Sequence, residues 1–443
     1  MKKILKRSAA LLIVLIVITT SLPVFAAENT VAPYDEYEAA FAVLDNLERG
    51  IYTTTLIPAN KLDYNKIYSI VEALYPQQFK AEILTYKSGK VEFTITGENQ
   101  SMYKTAKNAA AAAARSLGVG GGTTREKISA INRYIVRNCA YDYDAASTSA
   151  EANKEPFTAY GAIINGKAVC SGISRLFMLM CEELNVPCIY VSSPGMNHGW
   201  NAVYCYGETY YVDVTYNLGY SAGAHEVSES YLMLDEQEIK VDHSWDSAMI
   251  NELMSKLYSK EYAQAQRLFD VGLFRGTATG YSLDKTLTRA EAATMLTRLL
   301  GAEEEALRNN YKHPFTDVPD WASAYVGYLY KNKLTKGVSS TLFASNRDTT
   351  LNEYVTFVLR ALAYREENGD FVWSSAGETA VKMGFLTTSD AARISKSGFD
   401  RGDMVLISTK ALSSNIKGTQ TPMIEHLISV GAVKKTAARE AGF

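Results

Sequence analysis

The sequence Lys167-Ala-Val-Cys170-Ser-Gly172 follows a turn-forming Asn-Gly pair and leads into the apolar segment ISRLFMLMCEEL. Apolar residues recur in that segment at helical spacing, at Ile173, Leu176, Phe177, Met180 and Leu184. This periodicity predicts an amphipathic helix with Cys170 in its first turn. Free backbone N–H groups at a helix N-terminus favour a thiolate, the nucleophilic form of cysteine. Most lone cysteines are inert apolar residues, so a catalytic role for Cys170 also needs a base nearby.

A base and an acid occur in the segment GMNHGWNAVYCYGETYYVDVTYN, residues 195–217. Its two alternating, aromatic-rich halves flank Gly207, which predicts a β-hairpin. A turn at residues 206–207 places His198 and Asp213 diagonally across the two strands on one face, so the acid can orient the imidazole. A turn at residues 207–208 keeps them on one face but farther apart. The predicted roles are nucleophile for Cys170, general base and then acid for His198, and orienting carboxylate for Asp213.

These residues resemble the transglutaminase-like superfamily, whose core is related to papain-like cysteine proteases. The motifs that carry the resemblance are NGKAVCSG, His198-Gly-Trp-Asn201 and Asp213-Val-Thr215, with SYLMLDEQEIKVDHSWD as a closing element. The resemblance covers about residues 124–247. Gly199 stands where alanine is commoner, a change that we expect to matter little. The resemblance implies an α+β fold, in which the cysteine-bearing helix packs on an antiparallel sheet, and a reaction at amide bonds.

The N-terminus has the pattern of a secretory signal peptide. Lys2, Lys3, Lys6 and Arg7 precede an apolar run, and Val24-Phe25-Ala26 offers small residues for cleavage. A retained membrane anchor is the alternative, although the apolar run is short for a spanning helix. Removing residues 1–26 takes away four positive charges and changes the formal net charge from −3 to −7. A mildly acidic mature chain is not expected to bind nucleic acid, and after cleavage we expect no membrane contact.

Cysteine and histidine spacing indicates neither a disulfide framework nor a metal site. The five cysteines form no CxxC pair, and their odd number leaves at least one thiol outside any intramolecular bridge. Cys181, which lies deeper in the predicted helix than Cys170, is expected to be inert. The remaining histidines have no ligand spacing, and they are His225, His243, His313 and His426. We therefore expect no metal and no cofactor.

Three short motifs recur in the C-terminal part of the chain. They are Thr288-Arg-Ala-Glu291, Thr350-Leu-Asn-Glu353 and Asp400-Arg-Gly-Asp403, spaced 62 and then 50 residues apart. Each offers a capping residue with an acid three positions later, directly before an apolar helical segment. The upstream segments LFDVGLFRG, LYKNKLTKG and VKMGFL also resemble one another. This register predicts three copies of a helix–turn–helix unit.

The repeats resemble S-layer homology repeats, which attach exported proteins to secondary cell-wall polymers of Gram-positive bacteria. Residues Leu287–Glu291 and Phe315–Val318 carry the resemblance. It implies an all-α domain of three repeats, in which arginine forks meet acidic sugar groups. The residues that it assigns to polymer contact are Arg289, Trp321 and Arg401. Because Leu351 replaces the arginine of the second copy and the third copy lacks an FxDV element, a purely structural role is the alternative.

Five regions follow from these patterns. They are a signal peptide (1–26), an α/β segment of unknown role (27–122), a transglutaminase-like catalytic domain (123–247), a helical connector (248–262) and the repeats (263–436). The predicted protein is a secreted cysteine transamidase or peptidase at the cell wall or S-layer surface of a Gram-positive bacterium. Its expected partners are a protein or peptide substrate and a secondary cell-wall polymer. The alternative is a non-catalytic wall-binding or scaffold protein that keeps a retired papain-like core.

Overall fold

The computed structural model describes residues 30–33, 35–148, 155–218, 227–277 and 280–443. The signal peptide expected at 1–26 and His225 lie outside these residues. The chain divides into two compact units, Met1–Leu257 and Tyr258–Phe443. The first is α+β and the second is helical, which confirms the predicted fold class. Within the described residues, no helix combines the length and the apolar character that crossing a membrane requires.

The first unit contains strands from three sheets. Its strands are β1 (Thr30–Val31), β2 (Thr53–Leu56), β3 (Phe79–Thr85), β4 (Val91–Gly97), β5 (Ala140–Tyr141), β6 (Lys167–Ala168), β7 (Cys188–Ser193), β8 (His198–Cys205), β9 (Glu208–Val212) and β10 (Leu232–Leu234). Its helices are α1 (Glu36–Glu48), α2 (Tyr64–Leu74), α3 (Gln100–Ser116), α4 (Thr124–Asn138), α5 (Tyr143–Ala146), α6 (Ala159–Ile163), α7 (Cys170–Glu183), α8 (Val214–Asn217), α9 (Glu236–Ile239) and α10 (Ser247–Leu257). A 3₁₀ turn spans Glu155–Phe157.

The N-terminal sheet has the strand order β1-β2-β4-β3, in which β1 and β2 are parallel and the other pairs antiparallel. The alternating segment KVEFTITG forms β4, and Val91, Phe93 and Ile95 are the buried residues on one of its faces. Such alternation is what a half-buried strand requires.

The second sheet, with strand order β10-β9-β8-β7, is antiparallel and carries the predicted hairpin. Cys205 pairs with Glu208, so Tyr206 and Gly207 form the two-residue turn. Both turn residues have positive φ, 56° and 102°, as a type I′ turn requires. Of the two turn positions considered, the structure has the one that brings His198 and Asp213 closest.

Helix α7 packs against this sheet within one buried cluster that also includes α3 and α4. Helix α3 contributes Ala106, Ala110 and Ala114, one residue per turn, and all three are buried. Small side chains let two helices approach closely, which explains alanine at these three positions. Helix α3 therefore belongs to the same core as the cysteine-bearing helix, although it lies in the segment that the sequence sets apart at 27–122.

Gly172 explains the small residue that follows Cys170 in KAVCSG. A Cβ atom at Gly172 would lie 2.6 Å from the carbonyl oxygen of Pro156 and 2.7 Å from that of Thr158. The Val169 N–H also donates to the Pro156 carbonyl at 2.9 Å. Only glycine permits this approach, because a methyl group would overlap both oxygens. The backbone at 156–158 thus holds the first turn of α7 in place.

The second unit consists of helices joined by short loops. They are α11 (Lys260–Asp270), α12 (Arg289–Leu299), α13 (Glu303–Asn309), α14 (Asp320–Lys331), α15 (Leu351–Ala361), α16 (Ala376–Lys382), α17 (Thr388–Ser397), α18 (Arg401–Leu412), α19 (Met423–Ser429) and α20 (Lys435–Glu440). Two 3₁₀ turns, Glu366–Asn368 and Trp373–Ser375, lie between α15 and α16. Complete capping boxes open α12, α15 and α18, as the repeated motifs predict.

The acid of each of these three capping boxes is also paired with an arginine. The pairs are Arg289 Nη1 with Glu353 Oε1 (2.7 Å), Arg401 Nη1 with Glu291 Oε1 (2.8 Å), and Arg393 with Asp403. The first two pairs connect different copies of the repeat. In the second copy Leu351 replaces the arginine, and Arg393 from α17 supplies the missing guanidinium to Asp403. A buried carboxylate left without such a partner would be costly.

Candidate active site

Cys170 is the first residue of α7, as predicted, and its side chain is partly exposed. All five cysteines are free thiols in the structure. Burial raises the pKa of Cys139 to about 12, and burial with the neighbouring Cys188 raises the pKa of Cys181. Groups buried in this way are poor nucleophiles, because they remain protonated. Cys170 differs from them in lying at a helix N-terminus, beside His198.

His198 opens β8, and Asp213 directly follows β9 at the same end of the hairpin. The Nε2 atom of His198 lies 2.7 Å from Oδ2 of Asp213. Burial opposes the charged imidazole, but hydrogen bonding to Asp213 and to Cys170 outweighs it and raises the pKa of His198 to about 10. The imidazole is therefore held protonated at neutral pH, between the thiol and the carboxylate.

Asp213 is fixed by its place in the backbone as well as by His198. It is the N-cap of the short helix α8, where its Oδ1 accepts the Tyr216 N–H at 3.0 Å. Its own N–H donates to the Tyr231 carbonyl at 3.0 Å. Burial raises the pKa of its carboxyl, but hydrogen bonds from His198 and His243 outweigh burial and lower the pKa below its usual value. The motif DVTYN thus combines a helix cap with a buried, ionised carboxylate.

Two aromatic rings hold the His198 imidazole. Trp200 stacks on it with ring centroids 5.7 Å apart, and Tyr216 lies at 5.0 Å. Trp200 is completely buried. Rings packed against an imidazole restrict its rotation and exclude water from its surroundings. This packing explains the tryptophan of the motif HGWN.

The helix that carries Cys170 and the strand that carries His198 are hydrogen-bonded to each other. The hydroxyl of Ser174, one turn after Cys170, donates to the Gly199 carbonyl at 3.1 Å. The side-chain amide of Asn201 donates to the Ser174 carbonyl at 3.1 Å. Both bonds are buried, so they fix the spacing between nucleophile and base. The asparagine of HGWN thus ties β8 to the helix that carries Cys170.

Gly199 is required by Tyr190 on the neighbouring strand β7. A Cβ atom at Gly199 would overlap the hydroxyl and ring of Tyr190. The Tyr190 ring also packs against the buried guanidinium of Arg175, 4.8 Å from its centroid. In this chain the alanine that is commoner at position 199 would need a smaller residue at 190.

The structure adds a residue that the sequence spacing did not indicate. His243 lies 30 residues after Asp213, and its Nε2 is 3.0 Å from Oδ2 of Asp213. One ligand atom each from His198, Asp213 and His243 lies within 4.8 Å of the others, a spacing that a metal ion could use. Here both imidazoles point to a single carboxylate oxygen, so the arrangement is one of hydrogen bonds. The only signal in the sequence was the position of His243 beside Asp242 in the closing element DHSWD.

The three residues assigned to polymer contact lie in different environments. Arg289 and Arg401 are buried and paired with acids, and their Nε atoms donate to the carbonyls of Phe343 and Tyr281. Trp321, in the first turn of α14, is 55% exposed. Their role in binding stays a prediction. Trp321 has the exposed surface that contact with a polymer needs.

The first unit thus brings together a cysteine at a helix start, a histidine beside it and an acid hydrogen-bonded to the histidine, which are the side-chain types that thiol-dependent acyl transfer uses. Residues 111–236 match the family model of the transglutaminase-like superfamily. This part of the chain, which contains Cys170, His198 and Asp213, is a transglutaminase-like domain.

Several curated relatives are cell-surface proteins by name. The chain is 33% identical over 155 residues to the middle cell wall protein of Brevibacillus brevis, a match that covers 33% of this chain and 14% of that protein. It is 34% identical over 114 residues to a surface layer protein of Brevibacillus choshinensis (25% and 10% covered). It is 28% identical over 171 residues to a cell surface protein of Thermoanaerobacter kivui (38% and 21% covered). The matches therefore span about a fifth or less of these relatives.

A solved structure described as "Crystal structure of a TGase" matches with a TM-score of 0.23 and 15% identity, covering 40% of this chain and 54% of that chain. This TM-score is too low to carry an argument about the fold.

Proposed function

We propose that this chain is an exported, cell-wall-associated thiol enzyme that acts on amide bonds of proteins or peptides. The observation that carries the proposal is the 2.7 Å contact of His198 with Asp213, beside Cys170 at the start of α7. The family match of residues 111–236 supports a reaction of the transglutaminase or peptidase type. The names of the relatives support a place at the cell wall.

The geometry supports a two-step reaction. The Cys170 thiolate attacks the carbonyl carbon of the amide, and the His198 imidazolium gives its proton to the leaving nitrogen as the C–N bond breaks. The product of this step is a thioester on Cys170 and a free amine or ammonia. In the second step an amine or water attacks the thioester, His198 accepts the proton of the attacking group, and the thiolate is released. The first N–H groups of α7 lack helical partners, so the N–H of Cys170 is our candidate donor to the oxyanion.

The first test uses the full mature chain and a glutamine-containing peptide library, with and without a fluorescent primary amine. We expect either incorporation of the amine into peptides or release of ammonia or shortened peptides. Amine incorporation identifies a transamidase, and hydrolysis in the presence of amine identifies a peptidase or amidase. The control is the Cys170→Ala protein under the same conditions. Product levels equal to that control in every assay would contradict an enzymatic function.

A non-catalytic wall protein is the second candidate, because the relatives named above are described as wall or surface-layer proteins. A retired enzyme is expected to lose members of its catalytic set. The presence of Cys170, His198 and Asp213 in one site therefore favours catalysis. Under the second candidate, Cys170 would react with an alkylating reagent no faster than Cys188.

We also infer that the second unit consists of S-layer homology repeats and binds a secondary cell-wall polymer. The support comes from the three capping boxes at matching positions and from the names of the relatives. Trp321 offers an exposed ring for stacking on sugars. Acidic sugar groups would compete with Glu353 for Arg289 and with Glu291 for Arg401.

We expect the cell-wall binding activity to be located in the second unit. We expect residues 258–443 to pellet with purified Gram-positive cell walls and residues 27–257 to stay in solution, since these boundaries keep α10 and α11 whole. Trp321→Ala should weaken pelleting about tenfold, the loss typical of a key aromatic contact.

The matched control for this variant is Trp373→Ala, because that ring is similarly exposed (52%, against 55% for Trp321) but was not assigned to the polymer. Folding is expected to be unaffected in both variants. Equal binding of the 258–443 fragment to intact walls and to walls stripped of the polymer would show that the repeats do not anchor the chain.

A further inference from the structure

We infer that His243 is a positioning residue of the same site. It is a doubly protonated imidazolium that holds the Asp213 carboxylate and, together with His198, balances the negative charge of that carboxylate. The inference rests on the proposed function, since it concerns the orienting acid of that site. His243 is not required to touch substrate. It acts through Asp213.

The protonation of His243 follows from its two hydrogen bonds. Its Nδ1 lies 2.5 Å from Oδ1 of Asp242, and its Nε2 lies 3.0 Å from Oδ2 of Asp213. An ionised carboxylate can only accept, and a neutral imidazole has only one N–H to donate. Both bonds can therefore form only if both ring nitrogens carry protons or if one of the acids is protonated.

The acids are the weaker candidates for that proton. Burial raises the pKa of Asp242, but hydrogen bonds from Tyr231 and His243 outweigh it, so the pKa lies below its usual value. The pKa of Asp213 is lowered in the same way by His198 and His243, as described above. We assign the proton to His243 because each of its ring nitrogens faces a carboxylate oxygen, and two carboxylates can balance the charge of a buried imidazolium.

The surroundings of His243 leave few other charges to consider. Its side chain is fully buried. The rings around it belong to Trp200 (centroids 4.8 Å apart), Tyr216 (4.8 Å), Tyr231 (5.7 Å) and His198 (5.8 Å). The hydroxyl of Tyr231 donates to Oδ2 of Asp242 and so holds the outer acid. Among the residues that the structure describes, the titratable groups in contact with His243 are Asp213, Asp242, His198 and the two tyrosines.

The contact of His243 with Asp213 has a geometric and an electrostatic effect. Asp213 accepts at Oδ2 from His198 and His243 and at Oδ1 from the Tyr216 N–H, so its carboxylate cannot rotate. A cation beside Asp213 also weakens the pull of the acid on the His198 proton, which must leave and return in each turnover. The rings of His198 and His243 have centroids 5.8 Å apart. Removing the positive charge of His243 should therefore raise the pKa of His198 by about one to two units.

The first test is the protonation state of His243 in the full mature chain. The sequence has five histidines, so selective ¹⁵N-histidine labelling gives few ring signals, and loss of a signal in His243→Gln assigns His243. We expect both ring nitrogens of His243 to carry protons in the wild type at pH 7, since each faces a carboxylate oxygen. In Asp242→Asn, whose amide oxygen can still accept but carries no charge, one ring nitrogen of His243 should be unprotonated at the same pH. An unprotonated His243 ring nitrogen in the wild type at pH 7 would overturn the inference.

The second test is the pH dependence of Cys170 alkylation by iodoacetamide. Loss of the cation in His243→Gln should destabilise the thiolate and move the profile to higher pH by about one unit. A residue with a structural role alone would change stability without moving the profile. The control is His313→Gln, because His313 lies in the second unit, hydrogen-bonded to Ser323. Superimposable profiles for folded His243→Gln and wild type would overturn the inference.

Neither measurement depends on turnover. If amide turnover is absent while both results hold, the proposed reaction is wrong and the role of His243 stands. If turnover is present while His243 is neutral, the reaction stands and this inference is wrong.

Discussion

Cys170→Ala should reduce amide turnover by the full mature chain to background, a loss on the order of 10⁴-fold or more. Among the described residues of the site, no other group can form the thioester, so the first step has no substitute nucleophile. His198→Gln should cause a loss of similar size, because the nucleophile and its base act as a unit. The measurement is the initial rate of amine incorporation and of peptide hydrolysis. Combining the two changes should cost little more than either alone.

The matched control for this prediction is Cys188→Ala. Cys188 is also a partly exposed free thiol of the first unit, but it lies on β7 and not at a helix start. Its replacement should leave turnover within about twofold of the wild type, as expected for a residue outside the reacting groups. Mass-spectrometric mapping after brief iodoacetamide treatment should show Cys170 as the fastest of the five thiols. Full turnover by folded Cys170→Ala would place the chemistry elsewhere.

Asp213→Asn should lower kcat/KM by about 10²- to 10⁴-fold and also change its pH dependence. Asparagine is a good N-cap, so α8 should stay formed while the negative charge is lost. The carboxylate is a main reason why the pKa of His198 is raised to about 10. Without it the pKa of His198 falls, and the imidazolium that protonates the leaving group is lost at lower pH. The alkaline limb of the pH–rate profile should therefore move to lower pH.

Asp235→Asn is the matched control for the Asp213 variant. Asp235 also caps a four-residue helix, α9, through its side chain, but it has no contact with His198. We expect a wild-type pH–rate profile for this protein between pH 5.5 and pH 10.5. An unchanged alkaline limb in Asp213→Asn, in folded protein, would show that Asp213 does not control the protonation of His198.

Local patterns were enough to predict the elements that carry the site. The apolar spacing after Cys170 predicted α7, and the alternation around Gly207 predicted the β8–β9 hairpin. The capping boxes of the three repeats also follow from local spacing. These features could be predicted because they depend on residues fewer than about ten positions apart, where backbone geometry fixes which side chains meet.

The contacts of His243 and of the arginines in the repeats cannot be predicted from local sequence patterns. Nothing in the spacing of His243 indicated that its ring would meet Asp213, because the contact depends on how the segment after β10 folds back on the sheet. Likewise, nothing in the spacing of Arg289 indicates that it pairs with Glu353 of another copy. Arg393 lies outside the repeated motif. It pairs with Asp403 of the third copy, in place of the arginine that the second copy lacks at position 351.

The order Cys170, His198, Asp213 and the hairpin around Gly207 follow from the amino-acid sequence, whereas the choice between the two possible turns, and with it the strand register, is made by the fold. The protonation of the site also depends on the fold. Burial removes water from Asp213 and His243, and in that environment each N–H must find an acceptor and each charge a partner. Those partners come from distant segments, so the charge on each imidazole is set by packing and not by its neighbours in the chain.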